Sequence, residues 1–190
     1  MKARSATELL DRLEQRLRQN ITLAYALREL SDTALRKRPA PEAWCALEAV
    51  EHVNIWNADY LDRLAVALDR HGTSPAPTFA SSRIGNFFVG SVKPGPKTRK
   101  IPTLKRLNPV HRDLDHAVLD NWLRQAELQE RILRKARTAD LNRIRIKTAL
   151  TSLIKMRLGD VLRMMVYHDW RHLEQACRAA GVRVDRRVEA

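Results

Sequence analysis

Apolar residues recur at steps of three and four along four long stretches of this 190-residue chain. That spacing lines one face of an α-helix and is the strongest constraint on what the chain can fold into. The first stretch runs from about Ser5 to Leu30, with Leu10, Leu13, Leu17, Ile21, Ala24 and Leu27 in its stripe. Ser5, followed three residues later by Glu8, has the form of a capping box. The run from Arg36 to Glu42 breaks the pattern, because Pro39 and Pro41 restrict their predecessors and cannot continue a helix. The second stretch, about Trp44 to Arg70, carries Leu47, Val50, Val53, Asn57, Leu61, Leu64 and Leu68, widened by Trp56 and Tyr60. The third, about Pro109 to Ala136, carries Leu114, Val118, Asn121, Gln125, Leu128 and Ile132, with two amides where aliphatic residues would be ordinary. The fourth, about Leu158 to Ala180, stops at Gly181 and carries Leu158, Val161, Met165, His168, His172, Ala176 and Ala179.

The connections are unequal. Gly72–Asn108 holds 9 of the chain's 14 Gly and Pro residues, so it separates helices two and three. It also holds seven Lys or Arg and no Asp or Glu. A connection this long is usually a lid, a binding loop or a disordered segment. Phe79, Ile84, Phe87, Phe88 and Val89 argue that it packs, with a short helix over about Ser82–Ser91 and with Phe87 and Phe88 pinning it to the rest. Within Arg137–Arg157, the alternation Ile144-Arg145-Ile146-Lys147 suits a short strand. Four amphipathic helices without core strands read as an all-α, four-helix bundle with long crossover loops, one domain over residues 1–190. Up-down-down-up and simple up-and-down orders both fit.

At 44% hydrophobic and 30% charged, the chain is neither disordered nor collagen-like. No stretch approaches the roughly 20 apolar residues of a membrane span, so no membrane partner is expected. The basic Met1–Ser5 segment runs into charged residues, so no secretory leader is expected. With Cys45 and Cys177 the only cysteines, a reducing, cytoplasmic setting fits. The net charge of +13 could attract nucleic acid or acidic metabolites, but charge alone names no partner.

The histidines are more specific. His168 and His172 lie four apart on the inward stripe of helix four, so their rings can reach one shared atom. Neutral imidazoles at that spacing are a standard transition-metal pair. Buried imidazoles need partners, and two protonated neighbours would repel; a metal satisfies both rings. His52 lies at the edge of the apolar face of helix two, one turn from Glu48 and Trp56. His71 reads as a helix-end residue, and His111 and His116 as exposed residues at a helix start.

Three motifs resemble the DinB-like (YfiT-like) metal-binding bundles. They are Arg38-Pro39-Ala40-Pro41-Glu42-Ala43-Trp44-Cys45 at the entry to helix two, Glu51-His52-Val53 beyond it, and His168-Asp169-Trp170-Arg171-His172-Leu173-Glu174-Gln175 in helix four. The last is similar to that family's His-x-x-Arg-His-x-x-Gln signature. The resemblance implies a metal triad of His52, His168 and His172 binding a divalent ion such as zinc or nickel, with catalytic residues otherwise unassigned. Cys45 stands where the family commonly has Ser, and places a thiol near His52; a buried structural cysteine is its ordinary reading. Arg171 lies off the face of the histidine pair and reads as a structural residue holding an acid or a carbonyl.

Three protein ligands leave an ion open to water or substrate, the catalytic pattern. Asn121 and Gln125 face the core and suit orienting a substrate or a water, or satisfying buried backbone. Glu48 and Asp59 suit acceptors for the other ring nitrogen of His52, and Gln175 lies one turn from His172. The resemblance implies a metal-dependent thiol S-transferase or a hydrolase, acting on a small molecule with a low-molecular-weight thiol as cosubstrate, for which the basic loop would be a docking surface. The alternatives are a non-enzymatic metal-binding or interaction bundle and, through the basic loop, nucleic-acid binding. A homodimer is also implied, with Trp122, Trp170 and the apolar loop residues available for a two-fold contact.

Overall fold

The computed structural model describes residues 2–70, 74–95, 102–148 and 153–184. Four long helices form the bundle: α1 (Ala6–Arg28), α3 (Ala46–Arg70), α5 (Ala117–Ala136) and α6 (Leu158–Ala180). Short elements fill the connections. These are β1 (Arg4–Ser5), α2 (Asp32–Arg36), β2 (Thr78–Phe79), α4 (Arg83–Val92), β3 (Arg145–Lys147) and β4 (Lys155–Arg157). Among the described residues no helix is long and apolar enough to cross a membrane.

Helix boundaries follow local chemistry. The Ser5 hydroxyl caps α1 by accepting from the Glu8 amide at 3.3 Å, as the capping-box spacing predicts. Gly181 ends α6 in the left-handed region, at φ 78°. The third long helix departs from expectation. It starts at Ala117, not near Pro109, because 109–116 is committed elsewhere. The His111 amide donates to the Glu48 carboxylate at 2.7 Å, with His111 held at φ 62°, a conformation no helix can include. The His116 ring is pinned between the Leu30 carbonyl and Asp32, so it is a tie between α2 and α5 more than a free surface residue.

The order is up-down-down-up. Arg28 at the end of α1 pairs with Asp120 at the start of α5, and Arg137 just past α5 reaches back to Asp11 and Glu14, so α1 and α5 are antiparallel. Asn54 bonds the Val118 carbonyl and Asp69 pairs with Lys135, so α3 and α5 run parallel. Trp44, just before α3, lies against His172, and Trp56, further along α3, lies against the earlier His168, which makes α3 and α6 antiparallel. Two parallel neighbours require a long crossover, which is why the Gly/Pro-rich connection exists. The shared core includes Leu13 and Leu17 of α1, Leu47, Tyr60 and Leu64 of α3, Leu119, Trp122 and Leu133 of α5, and Val161 and Leu173 of α6.

Within the crossover, α4 lies against α6 with Gly85, Val89 and Val92 buried, close to the expected helix over Ser82–Ser91. The anchor is not the expected pair. Phe87 is 72% exposed and Phe88 is half-buried, whereas Phe79 is fully buried. The helical period explains this: Gly85, Val89 and Val92 share the inward face, and Phe87 falls opposite. Arg83, Lys93, Lys105 and Arg106 are exposed, as a solvated basic face requires. Lys97, Arg99, Lys100 and His71 lie outside the described residues. The alternation at 144–147 does form a strand. β3 pairs antiparallel with β4 in the register Ile146 opposite Met156, and β1 pairs with β2, Arg4 opposite Phe79. Trp122 and Trp170 are buried inside the chain, so neither is available to a two-fold contact.

Gly159 has no room for a side chain, since a Cβ there would sit 2.6 Å from Cε2 of the buried Phe79 ring. Gly159→Ala should therefore cost about 1–3 kcal/mol in overpacking. A urea midpoint unchanged from the parent chain would show that the crossover does not pack against α6 as described.

Candidate metal centre

The antiparallel contact of α3 with α6 decides the site. It sets His52, in the second turn of α3, opposite His168 and His172 in the middle turns of α6. One ring nitrogen from each of the three lies within 4.8 Å of the others, and all three residues are buried. Ring centroids are 5.1 Å apart for His52 and His168, 4.6 Å for His52 and His172, and 4.6 Å for His168 and His172. Among the described residues no carboxylate joins them in the cluster.

Hydrogen bonds fix which nitrogen two of the three rings offer. His52 Nδ1 is 2.7 Å from the Leu107 carbonyl oxygen. A carbonyl only accepts, so Nδ1 carries the proton and Nε2 keeps its lone pair. His172 Nδ1 meets Gln175 Oε1 at 3.0 Å, with the same consequence. His168 Nδ1 is buried with no hydrogen-bond partner among the described residues. The rings also share aromatic walls. Trp44 lies 4.9 Å from His52 and 5.9 Å from His172, and Trp56 lies 4.7 Å from His168, centroid to centroid.

The electrostatics favour neutral rings. Burial pushes the His52 imidazole below its ordinary value, against the bond to Leu107, and the Arg171 guanidinium lowers it further. Burial holds His168 and His172 well below the ordinary value, and Arg171 acts on both. A metal ligand must be the neutral imidazole, so burial has already removed the competing proton. Three converging neutral imidazoles, one with an orphaned nitrogen, fit a divalent cation that accepts nitrogen ligands.

Other sequence-derived residues divide. Gln175 touches His172 as its spacing suggested. Glu48 and Asp59 do not serve as acceptors for His52; the Leu107 carbonyl holds that position. Glu48 instead takes Arg38 at 2.5 Å, the Cys45 amide at 3.0 Å and the His111 amide at 2.7 Å. Burial alone would raise its carboxyl, but Arg38 and the two amides leave it below the usual range. Asp59 faces Arg106 at 3.6 Å, on the partly exposed side of α3. Gln125 donates to the Asn54 carbonyl at 3.2 Å, and the partly exposed Asn121 is not hydrogen-bonded to any histidine. Both therefore lie apart from the triad's hydrogen bonds, and Gln125 satisfies buried backbone. Arg171 donates to the Ser91 carbonyl at the end of α4, 2.9 Å away, which is the carbonyl-holding role read from its position. Cys45 is buried, and burial raises its thiol, so it stays protonated and unreactive near neutral pH.

The sequence reading missed four participants. The Leu107 carbonyl is a backbone group on a 3-10 turn over Lys105–Leu107 and leaves no residue-type signal. Trp44 and Trp56 were visible as aromatic residues near His52, but their contact with the histidines depends on the helix crossing. Asp169, beside His168 in sequence, points into the bundle. There Asn57 and Gln129 donate to its two carboxylate oxygens at 2.9 and 2.7 Å. Burial nevertheless raises its carboxyl to about 7, with those donors, and Trp122 from a geometry short of a hydrogen bond, pulling it down.

The model of the DinB superfamily matches residues 15–176, so this chain belongs to that superfamily. No curated protein and no solved structure matches it.

In the metal-free protein the histidines make stability fall on acidification. Their folded pKa values are depressed, so the stability they contribute is present above about pH 6.5 and is lost as the pH falls toward the folded values. Asp169, with a raised folded pKa, has the opposite sign: its contribution is present below the unfolded carboxyl value and is lost as the pH rises through about 7. Three groups outweigh one, so urea midpoints of chelator-treated protein should drop from pH 7.5 to pH 5.5. The drop should be steeper in Asp169→Asn. A midpoint that rises on acidification in that variant would contradict the burial of neutral rings.

Proposed function

We propose that this protein binds one divalent cation, zinc or nickel, through His52, His168 and His172, and uses it as a metal-dependent thiol S-transferase or hydrolase on a small-molecule substrate. The observation that carries this reading is the convergence of three buried imidazole nitrogens within 4.8 Å with no carboxylate among them. A cation held by three neutral ligands supplies Lewis acidity that lowers the pKa of a water or a thiol at its open position.

The chain's own groups favour an anionic partner for that position. None of the three ligands offsets the ion's charge, and the Arg171 guanidinium adds to the positive field on all three rings. Trp44 and Trp56 exclude water beside the rings, which strengthens every charge interaction there. Leu107 and Gln175 hold two rings in the tautomer that ligation requires. A homodimer belongs to the same proposal. With Trp122 and Trp170 buried, the exposed Ile84 and Phe87 on α4 are the apolar loop residues left to support it.

Purified protein should carry one equivalent of zinc or nickel by elemental analysis. His168→Ala should abolish stoichiometric metal while far-UV circular dichroism stays helical. Metal-replete protein should then consume a low-molecular-weight thiol in the presence of an electrophile, or hydrolyse an ester or amide, and His168→Ala should not. Full metal occupancy in His168→Ala would sink the triad. Stoichiometric metal without either activity would leave a non-enzymatic metal-binding bundle. Light scattering at tens of micromolar should give the mass of a dimer, and a monomeric mass would remove that part of the proposal.

A further inference from the structure

The segment Leu104–Asp113 crosses the start of α3 as a strap, tied down at successive points. Arg106 faces Asp59 at 3.6 Å, and the Leu107 carbonyl accepts from His52 Nδ1 at 2.7 Å. Asn108 Oδ1 accepts from the Trp44 indole N–H at 3.1 Å and from the Val110 amide at 3.2 Å. The His111 amide donates to Glu48 at 2.7 Å, and Arg112 faces Glu51 at 3.7 Å. These ties differ in kind. The Arg106 and Arg112 pairs are long and partly solvated, the type that contributes little. Glu48 is 1% exposed and ionised, so its bond to the His111 amide is a short charge-assisted bond shielded from water.

The strap also stores strain at that tie. His111 sits at φ 62°, the one non-glycine residue with positive φ among the described residues. Such a conformation persists only where surrounding bonds impose it. The bond that imposes it comes from the carboxylate that also caps α3 through the Cys45 amide and holds Arg38.

We infer that Glu48 is a positioning residue for the metal centre: it latches the strap through the His111 amide, and the strap in turn presents the Leu107 carbonyl that fixes His52 with its Nε2 lone pair toward His168 and His172. Glu48 touches no ligand. It acts four residues along the strap from Leu107, and the carboxylate is suited to this because its two oxygens serve three donors at once. An amide cannot. Whichever way a glutamine turned, its NH2 would face a donor, leaving N–H groups of the cap or the strap unsatisfied.

The inference rests on the metal-site reading, so the test reads the histidine tautomer separately from the metal. Three full-length variants are compared with the parent chain. Glu48→Gln breaks the hub. His111→Pro removes the strap's N–H together with the imidazole beside Arg38, and its ring cannot adopt positive φ, but it leaves the Arg38 and Cys45 bonds of Glu48 available if Glu48→Gln fails to fold. His111→Gly keeps the N–H and suits positive φ, and serves as the control. Nitrogen-15 NMR of the histidine rings in chelator-treated protein reports the His52 tautomer, with His52→Asn identifying its signals. Zinc affinity is then measured by chelator competition.

The parent and His111→Gly should show His52 as a single Nδ1–H tautomer. Glu48→Gln and His111→Pro should show averaging between tautomers, with zinc bound about 10–100-fold more weakly, the usual cost of losing the group that orients a ligand. A His52 tautomer unchanged in His111→Pro, with zinc affinity within twofold of the parent, would overturn the role of the strap. Loss of the tautomer in a protein whose parent binds no zinc would overturn the metal reading and leave Glu48 as the residue that orients His52. His111→Gly behaving like His111→Pro would also overturn the inference, because it would assign the effect to the His111 side chain.

Discussion

Three imidazoles face one another across the seam between α3 and α6, taken out of water without a carboxylate to accept their protons. Burial of this kind is tolerated only if the rings stay neutral and their polar atoms find partners. Much of the surrounding architecture meets that condition. The antiparallel pairing of α3 with α6 brings the rings together, Gln175 and the Leu107 carbonyl take two Nδ1 protons, and Trp44 and Trp56 wall the rings from solvent. His168 Nδ1 remains without a partner among the described residues, an unsatisfied atom beside a site that fits a cation.

The up-down-down-up order explains why the centre needs more than four helices. Parallel neighbours α3 and α5 cannot be joined by a tight turn, so the chain must travel the length of the bundle between them. On the way it lays α4 along α6 and then crosses the start of α3 as the strap. Arg171 illustrates the coupling. It is on α6 between two triad histidines, yet its bond is to the last turn of α4. The crossover is thus fastened at two places by the triad and its neighbours, at the end of α4 by Arg171 and along the strap by His52 and Glu48. A cavity of about 310 Å³ opens elsewhere, between the first turn of α1, residues 75–77 and the segment following α5, and no histidine, cysteine or carboxylate among the described residues lines it.

What could be read from the sequence followed from periodicity and spacing. The stripes located α1, α3 and α6 to within two residues, because a helix that buries one face must repeat its apolar residues at its own period. His168 and His172 were readable as a pair because i and i+4 on a helix are neighbours whatever else the chain does. Gln175, one turn on, was readable for the same reason. Joining His52 to that pair needed the likeness of its motif to a known family, since nothing within helix two says which helix it will face.

The rest was decided by contacts between segments distant in sequence. Glu48 and Asp59 share a helix face with His52, and from spacing alone each is a reasonable partner for its ring. In the fold Arg38 and two amides claim Glu48, Arg106 claims Asp59, and a backbone carbonyl 55 residues away takes the ring nitrogen. Phe87 and Phe79 are equally apolar, yet the rotation of α4 on α6 exposes Phe87, while the pairing of β2 with β1 and the close approach of Gly159 bury Phe79. The late start of α5 has the same origin, because a carboxylate on α3 holds the amide of His111 at positive φ, a conformation that a helix from Pro109 could not include. The sequence alone determined which residues lie along each helix face, a local property of a repeating backbone. Tertiary structure decided which faces meet and which buried polar groups become partners, because that depends on how the whole chain satisfies its hydrogen bonds once water is removed.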